Sequence, residues 1–235
     1  MAADCLIGID VGTQSVRALL TDRHGRLRIC ASRPTPTLRP KPGWAEHDPE
    51  ALWQAVLAVL REVAPQVPAG QTVAGIAVAS LGEACVLMDA ADQPLGRIVA
   101  WFDRRTEEDA HRISAERLFS VTGLARDPTY TLCKLLWTRR TMPALFARAR
   151  RMLNVADWIA FRLSGEAATD FSLASRTACL TGPPLLVGGA VERPGYRHRS
   201  AAGDPAEWHR AGAGPIRCVE CYGPARPARG GRWRP

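Results

Sequence analysis

Two short apolar runs near the amino terminus are separated by a polar turn that contains an aspartate and a glycine. Residues 6–9 and 16–20 have the composition of buried β-strands. Between them, residues 10–15 (DVGTQS) place a carboxylate at the end of the first strand and Gly12 two positions later. Because glycine has no side chain, backbone N–H groups and nearby hydroxyls can approach an anion in such a turn. The pattern predicts a phosphate-binding turn, and it leaves open a tight hairpin without a ligand.

The apolar pattern around this turn predicts an antiparallel meander. Its strands are expected at 5–10, 16–22 and 26–32, with a hairpin turn at His24 and Gly25. The meander would supply one layer of the domain.

A helix is predicted after the proline-rich segment that follows the meander. Asp48, Pro49 and Glu50 have the order of an N-cap, a first-turn proline and a first-turn acid, and residues 51–63 continue at helical spacing. Strands before helices are typical of a layered α/β domain. Further strands are predicted at 73–79, 83–88 and 97–100, and further helices at 105–116, 130–139, 143–150 and 156–163.

The composition changes near Leu180. Residues 181–235 hold 10 of the 20 glycines and 8 of the 18 prolines, and nine arginines minus four acids give this segment +5 of the net charge of +8. Almost no periodic apolar pattern remains there, so a domain over 1–180 and a disordered tail over 181–235 are predicted. The abrupt switch also suggests a reading frame lost near Leu180.

Several classes of protein are disfavoured by composition. The chain lacks a run of 18 apolar residues and a basic amino-terminal region, so neither a membrane span nor secretion is expected. Seven scattered cysteines favour the reducing cytoplasm. The positive charge lies mainly in the tail without interleaved aromatic residues, so no nucleic-acid partner is expected. Cys218 and Cys221 form a CxxC without a second pair, which is weak support for zinc.

Five segments in a fixed order resemble the N-terminal domain of the FGGY carbohydrate kinases. The resemblance runs from about Cys5 to Leu180, and the family includes glycerol, xylulose, ribulose and gluconate kinases. It implies an actin-like, ribonuclease-H-like α/β fold. The segments are IGIDVGTQSVRALL, PGWAEHDPEALWQAV, GIAVASLGEACVLMDAADQPLGRIVAWFDRRT, GLARDPTYTLCKLLW and NVADWIAFRLSGEAATDFSLASRT.

The resemblance implies a phosphate site at the first turn. Asp10 would organise Mg²⁺ indirectly, and the turn would approach the phosphoryl group transferred from ATP. Phosphoryl transfer needs clustered charge and backbone donors more than covalent chemistry, which agrees with the pattern of the turn. The residues matched to this site are Asp10, Gly12, Thr13, Gln14, Ser15 and Arg17.

The resemblance also implies a sugar-binding cleft. Glu83 matches an acid that glycerol kinases use for substrate hydroxyls, whereas their neighbouring arginine is Gly82 here, which argues against glycerol and weakly for ketoses. The indole of Trp101 would pack on the carbon skeleton, and a nearby acid would accept hydroxyl protons. The residues matched to the cleft are Gly82, Glu83, Trp101, Asp103, Arg104, Thr129 and Tyr130.

Each of these residues also has a structural interpretation. Trp101 could belong to the core, as buried aromatic residues usually do. Glu83 could lie on an exposed strand, and Arg104 could belong to a solvated helix face with the acids that follow it.

The function predicted from the resemblance is transfer of the γ-phosphoryl group of ATP to a hydroxyl of a ketose, polyol or aldonate. The family's general-base aspartate lies in a second domain, and Gly203-Asp204 lacks the flanking strand and helix that would position such a base. The chain is therefore expected to be a truncated form with little activity. A non-catalytic sugar-binding remnant is the alternative, and exposed apolar surface would favour a homodimer or other self-association.

Overall fold

The antiparallel meander predicted from the sequence is the first part of the sheet. The computed structural model of the protein describes residues 5–179. Strand β1 (Cys5–Val11) pairs with β2 (Ser15–Asp22), and β2 pairs with β3 (Leu27–Pro34), both antiparallel. The β2–β3 turn contains Gly25 at φ +78°, a conformation that glycine adopts without strain.

The predicted helix covers one face of this sheet. After a two-residue strand, β4 (Glu46–His47), helix α1 (Pro49–Val63) begins at Asp48, whose side chain accepts a hydrogen bond from the N–H of Ala51. Its buried side, which includes Leu52, packs with the buried residues of β1 and β2 in one hydrophobic core. The helix and its cap are confirmed.

Strand β5 (Val73–Ser80) returns the chain to the sheet and pairs with β1 in parallel, which gives the order β3-β2-β1-β5. The other strands and α-helices are β6 (Cys85–Met88), β7 (Ile98–Val99), β8 (Arg151–Asn154), α2 (Glu107–His111), α3 (Ala115–Thr122), α4 (Thr131–Thr141), α5 (Pro143–Arg148), α6 (Val155–Ser164) and α7 (Phe171–Arg176). Two further two-stranded sheets pair β4 with β7 and β6 with β8. Helix α6 packs against β5, and α4 and α5 belong to a second core.

Several predicted elements differ from the structure by one or two residues at their ends, and two of the differences have a local cause. The helix expected over 105–116 is two helices, because Ser114 leaves the helical conformation and caps α3 by accepting from the N–H of Arg117. The strand expected from Glu83 begins at Cys85, since Glu83 has φ 54° and cannot continue a β-ladder.

The sequence analysis missed other short elements, including β8 and α7. Within residues 5–179, no helix is long and apolar enough to cross a bilayer. The predictions for the tail, for Cys218 and Cys221, and for Gly203-Asp204 lie outside the described residues.

Replacing Leu52 with alanine is expected to lower the free energy of unfolding by about 2–5 kcal/mol, because it leaves a cavity under α1. Leu52 is fully buried, whereas Gln54 on the same helix is exposed. Gln54→Ala is the matched control and should change stability by less than about 0.5 kcal/mol. Urea unfolding followed by circular dichroism measures both, and equal effects would contradict the packing of α1 on the sheet.

Candidate functional site

A cleft opens where the carboxyl ends of β1 and β5 meet. The two strands are parallel, and the N–H of Leu81 donates to the carbonyl of Val11 at 2.8 Å, so the loops that follow them are adjacent. Ligands commonly bind at this edge of a sheet. The cleft has a volume of about 500 Å³. Its lining consists of Asp10, Gly12, Thr13, Ser80, Leu81, Gly82, Glu83, Trp101, Thr129 and Arg176.

The turn after β1 is closed by its own backbone. The N–H of Gly12 donates to the carbonyl of Ser15 at 3.0 Å, and the carbonyl of Gly12 accepts from the hydroxyl of Thr35 at 2.7 Å. A Cβ at Gly12 would lie 3.1 Å from the Ser15 oxygen, so a side chain there would crowd the backbone of the turn. The expectation that the turn leaves its N–H groups free for an anion is therefore wrong for Gly12.

The six residues matched to the phosphate site are divided by the structure. Asp10, Gly12 and Thr13 line the cleft. Arg17 faces Asp10 across the β1–β2 pair, with 4.0 Å between guanidinium and carboxylate, and both side chains are about half-exposed. Gln14 and Ser15 are outside the lining and hold the turn through their carbonyl groups.

Glu83 is held in the cleft by an arginine that the sequence analysis did not select. The Nε and Nη2 atoms of Arg176 both lie 2.7 Å from Oε1 of Glu83. Glu83 has a left-handed backbone at φ 54°, which costs a residue with a Cβ about 1 kcal/mol or more. Gly82 borders open space, since a Cβ there would meet no atom within 4 Å.

Trp101 forms the opposite wall. It follows β7, its residue surface is 40% exposed, and its indole N–H donates to the hydroxyl of Thr13 at 3.1 Å. This bond fixes the indole beside the turn that follows β1. The placement favours the cleft over the core for Trp101.

Asp103 and Arg104 do not reach the cleft. The carboxylate of Asp103 is fully buried and accepts from the guanidinium of Arg105 and from the N–H of Ala45. The side chain of Arg104 is 74% exposed and pairs with Glu107. A substrate contact by Asp103 does not fit this placement, since its oxygens are already bonded inside the protein.

Arg105 anchors the loop that carries Trp101. Its side chain is 2% exposed, pairs with Asp103 and with Glu46 at 2.7 Å each, and lies 3.7 Å from the ring centroid of Trp44. A buried guanidinium with two carboxylates and an aromatic face is well satisfied. Asp103 and Arg105 therefore hold the loop that carries Trp101 in place.

The segment before α4 completes the cleft. Thr129 is half-buried and lines it, whereas Tyr130 is buried in the second core with the guanidinium of Arg176 5.5 Å from its ring centroid. The buried ammonium of Lys134 donates to the carbonyl of Thr129. Burial lowers the pKa of Lys134 to about 8.

Sequence reasoning missed Arg176 and Ser80 as cleft residues. Arg176 lies inside the last of the five quoted segments, but it ends a six-residue helix that the apolar pattern did not reveal. Residues 5–179 contain no cluster of three or more His, Cys, Asp or Glu that could bind a metal ion without help from another ligand. The one magnesium candidate that the sequence supplies is Asp10, whose carboxylate opens on the cleft.

Comparison with known proteins gives one consistent family. Residues 5–181 match the model of the FGGY family of carbohydrate kinases, N-terminal domain. The chain is 37% identical over 186 residues to a glycerol kinase of Methylibium petroleiphilum, which covers 73% of this chain and 37% of that protein. It is 31% identical over 180 residues to a glycerol kinase of Thermococcus onnurineus, with 73% and 36% covered.

Solved structures agree on the fold. A gluconate kinase from Lactobacillus acidophilus superposes with a TM-score of 0.72 at 26% identity and covers 77% of this chain and 37% of its own. A xylulose kinase from Rhodospirillum rubrum gives 0.70 at 30% identity, with 75% and 37% covered. The fold is thus actin-like, as expected, and the chain spans little more than a third of the length of these relatives.

The low pKa of Lys134 predicts that its contribution to stability rises with pH between about 8 and about 10.5. In this range the unfolded chain keeps the proton on Lys134 and the folded chain has released it, so raising the pH favours the folded state. Burial raises the pKa of Cys133 from 9.0 to about 12, so above about pH 9 the unfolded thiol loses its proton while the folded thiol keeps it, and Cys133 opposes the rise there. The net rise in stability is therefore expected between about pH 8 and about pH 9.

The measurement uses the fact that the chain has only two lysines, Lys41 and Lys134. Carbon-13 labelling of lysine should show an ε-carbon that titrates near pH 8. Lys134→Met should remove this signal and the rise in stability, whereas Lys41→Met should leave both. If no ε-carbon titrates near pH 8, the buried position of Lys134 is contradicted.

Proposed function

The chain belongs to the FGGY family of carbohydrate kinases, and on that premise we propose that its described residues bind the sugar or polyol and the transferred phosphoryl group of an ATP-dependent kinase. The proposal rests on one structural observation. The turn after β1 and the loop after β5 bring Asp10 and Glu83 into the same cleft, with the indole of Trp101 opposite. A hydroxyl bound near Glu83 would then lie beside a phosphate bound near Thr13.

The proposed reaction transfers the γ-phosphoryl group of ATP to this hydroxyl. The hydroxyl oxygen forms a bond to phosphorus, the bond to the ADP oxygen breaks, and the hydroxyl proton passes to a base. Mg²⁺, when bound, neutralises the phosphate oxygens, and it commonly uses one or two protein carboxylates with phosphates and water as the other ligands. Asp10 fits that role because its carboxylate opens on the cleft close to the tight Gly12 turn.

The substrate is proposed only as a small hydroxylated molecule. The relatives are described as glycerol, gluconate and xylulose kinases. That Gly82 disfavours glycerol stays a prediction, because the open space at Gly82 could admit a larger sugar but does not define one. The cytoplasmic location and self-association are likewise still predictions.

Little phosphoryl transfer is expected from this chain by itself. Among the described residues that line the cleft, the carboxylates are Asp10 and Glu83. The first is proposed for magnesium, and the second is proposed to accept a hydrogen bond from a substrate hydroxyl beside Arg176, so neither is assigned to take up the hydroxyl proton. A sugar-binding role without catalysis is the second candidate, and the lack of a third carboxylate among the described residues of the cleft favours it.

Sugar binding is expected to shift the indole N–H signal of Trp101 in a nitrogen-15 spectrum. The indole bonds to Thr13 and forms a wall of the cleft, so a bound sugar changes its surroundings. Trp101→Phe identifies the signal among the seven tryptophans of the chain. Glycerol, D-xylulose, D-ribulose and D-gluconate should be titrated in turn, with the buried Trp158 as an internal reference. If none of these compounds moves the signal at millimolar concentration, the proposed sugar site is wrong.

Phosphoryl transfer should be measured separately, as ADP release from ATP and Mg²⁺ with the sugar that binds. We expect no sugar-dependent rate above the rate without protein. A measurable rate would overturn this expectation, and Glu83→Gln would then show whether Glu83 is the base. A base elsewhere would leave the maximal rate of Glu83→Gln largely unchanged at saturating sugar.

A further inference from the structure

Arg176 is the one charged residue in the described lining of the cleft that has no role in the proposed phosphoryl transfer. Its guanidinium is half-exposed, at 52% of the side chain, and both bonds to Glu83 go to the single oxygen Oε1. Among residues 5–179, the second oxygen of Glu83 and the remaining guanidinium N–H groups of Arg176 have no hydrogen-bond partner, so they can bond to a ligand. An arginine has five donors in a planar fork, so two bonds leave most of its capacity unused.

The side chain of Arg176 is not needed to hold its own helix. Helix α7 begins with a side-chain cap from Asp170 to the N–H of Leu173 at 2.8 Å. Its end is fixed by the buried Thr177, whose carbonyl accepts from the N–H of Leu132 at 2.9 Å. The backbone at Arg176 is therefore positioned by neighbours on both sides. The guanidinium of Arg176 takes no part in these backbone contacts.

The partner of Arg176 is held in a strained conformation. Glu83 is one of three non-glycine residues with positive φ among the described residues, and it lies in the cleft. Backbone strain of this kind is concentrated at sites that bind ligands. The adjacent Gly82 has space beside it and no side chain to fill that space. The pair of Glu83 and Arg176 thus borders a part of the cleft that a ligand could occupy.

The charged residues that line the cleft favour neutral sugars over sugar acids. Its charged lining residues are two carboxylates, Asp10 and Glu83, and one guanidinium, Arg176. A sugar acid would bring a third carboxylate near them, and like charges close together in a cleft repel. A neutral polyol has hydroxyls that can donate to Glu83 and accept from Arg176.

We propose that Arg176 is a specificity-determining residue that binds a substrate hydroxyl together with Glu83, and that the substrate is a neutral polyol or ketose. The proposal rests on the proposed function of the cleft. Arg176 binds one oxygen of the Glu83 carboxylate. It donates its other N–H groups to the sugar hydroxyl that Glu83 binds, or to the adjacent hydroxyl of the same sugar. The pKa of Arg176 is raised chiefly by its hydrogen bond to Glu83, so the guanidinium stays charged.

The test compares the affinities of glycerol, D-xylulose and D-gluconate for the 235-residue chain and its variants, by titration of the Trp101 indole signal. Arg176→Gln is expected to weaken binding of the neutral sugar by about tenfold or more, since it removes a charged donor. Arg176→Lys keeps the charge without the fork and should weaken binding several-fold. Glu83→Gln removes one negative charge and should narrow the preference for the neutral sugar over gluconate.

Arg33→Gln is the matched control. Arg33 and Glu62 form an ion pair of the same 2.7 Å length, the side chains of Arg33 and Arg176 are similarly exposed at 45% and 52%, and neither Arg33 nor Glu62 lines the cleft. This variant should bind sugar as the parent does. If Arg176→Gln unfolds, Arg176→Lys and Glu83→Gln still decide the question.

The two proposals fail in different ways. No binding of any compound by the parent chain contradicts the proposed function itself. Binding of the neutral sugar that neither Arg176→Gln nor Arg176→Lys weakens contradicts the role of Arg176. Tighter binding of gluconate than of glycerol and D-xylulose by the parent contradicts the proposed substrate class.

Discussion

The parallel pairing of β1 with β5 is the constraint on which the cleft depends. β1 runs through the middle of the four-stranded sheet, with Ile7, Ile9 and Val11 buried against the helical layer. Parallel strands end at the same edge, so the turn at Gly12 and the loop at Glu83 meet although about 70 residues separate them. The hydrogen bond from Leu81 to Val11 extends this register by one residue beyond β5. A shift of β5 by a single residue would turn its side chains to the other face and separate the two loops.

The wall that carries Trp101 depends on a different kind of interaction. Arg105 brings together Glu46 from β4 and Asp103 from the loop after β7, and its guanidinium stacks on Trp44. Removing one partner would leave a buried charge unpaired, which is far more costly than breaking a surface ion pair. The direct bond between Trp101 and Thr13 then joins this wall to the turn after β1. The register between β1 and β5 therefore positions one side of the cleft, and the buried Arg105 positions the other.

Most strands of the sheet could be predicted from the sequence, because the residue patterns that indicate them lie within a few neighbouring positions. The alternation in β1 and β2 and the cap at Asp48 are visible within a few residues, and the structure confirms them. Other features depend on distant partners. The four residues of β8 are a strand only because they pair with β6, and the sequence RMLN has no strand pattern of its own. The left-handed backbone at Glu83 and the arrival of Arg176 from α7 are also invisible in a linear pattern, since both are set by tertiary packing.

Burial separates the roles of residues that the sequence presents as equivalent. Asp103 and Glu83 are both acids in segments matched to the sugar cleft, and each is bonded to an arginine in the structure. The side chains of Asp103 and Arg105 are 0% and 2% exposed, so no ligand can compete for their bonds, and the pair is structural. Those of Glu83 and Arg176 are 15% and 52% exposed, so a hydroxyl can replace solvent around them without breaking the fold. An ion pair at the surface of a cleft contributes little to stability, and for the same reason it can be rearranged by a ligand at little cost. The exposed pair of Glu83 and Arg176, rather than the buried pair of Asp103 and Arg105, can therefore distinguish one substrate from another.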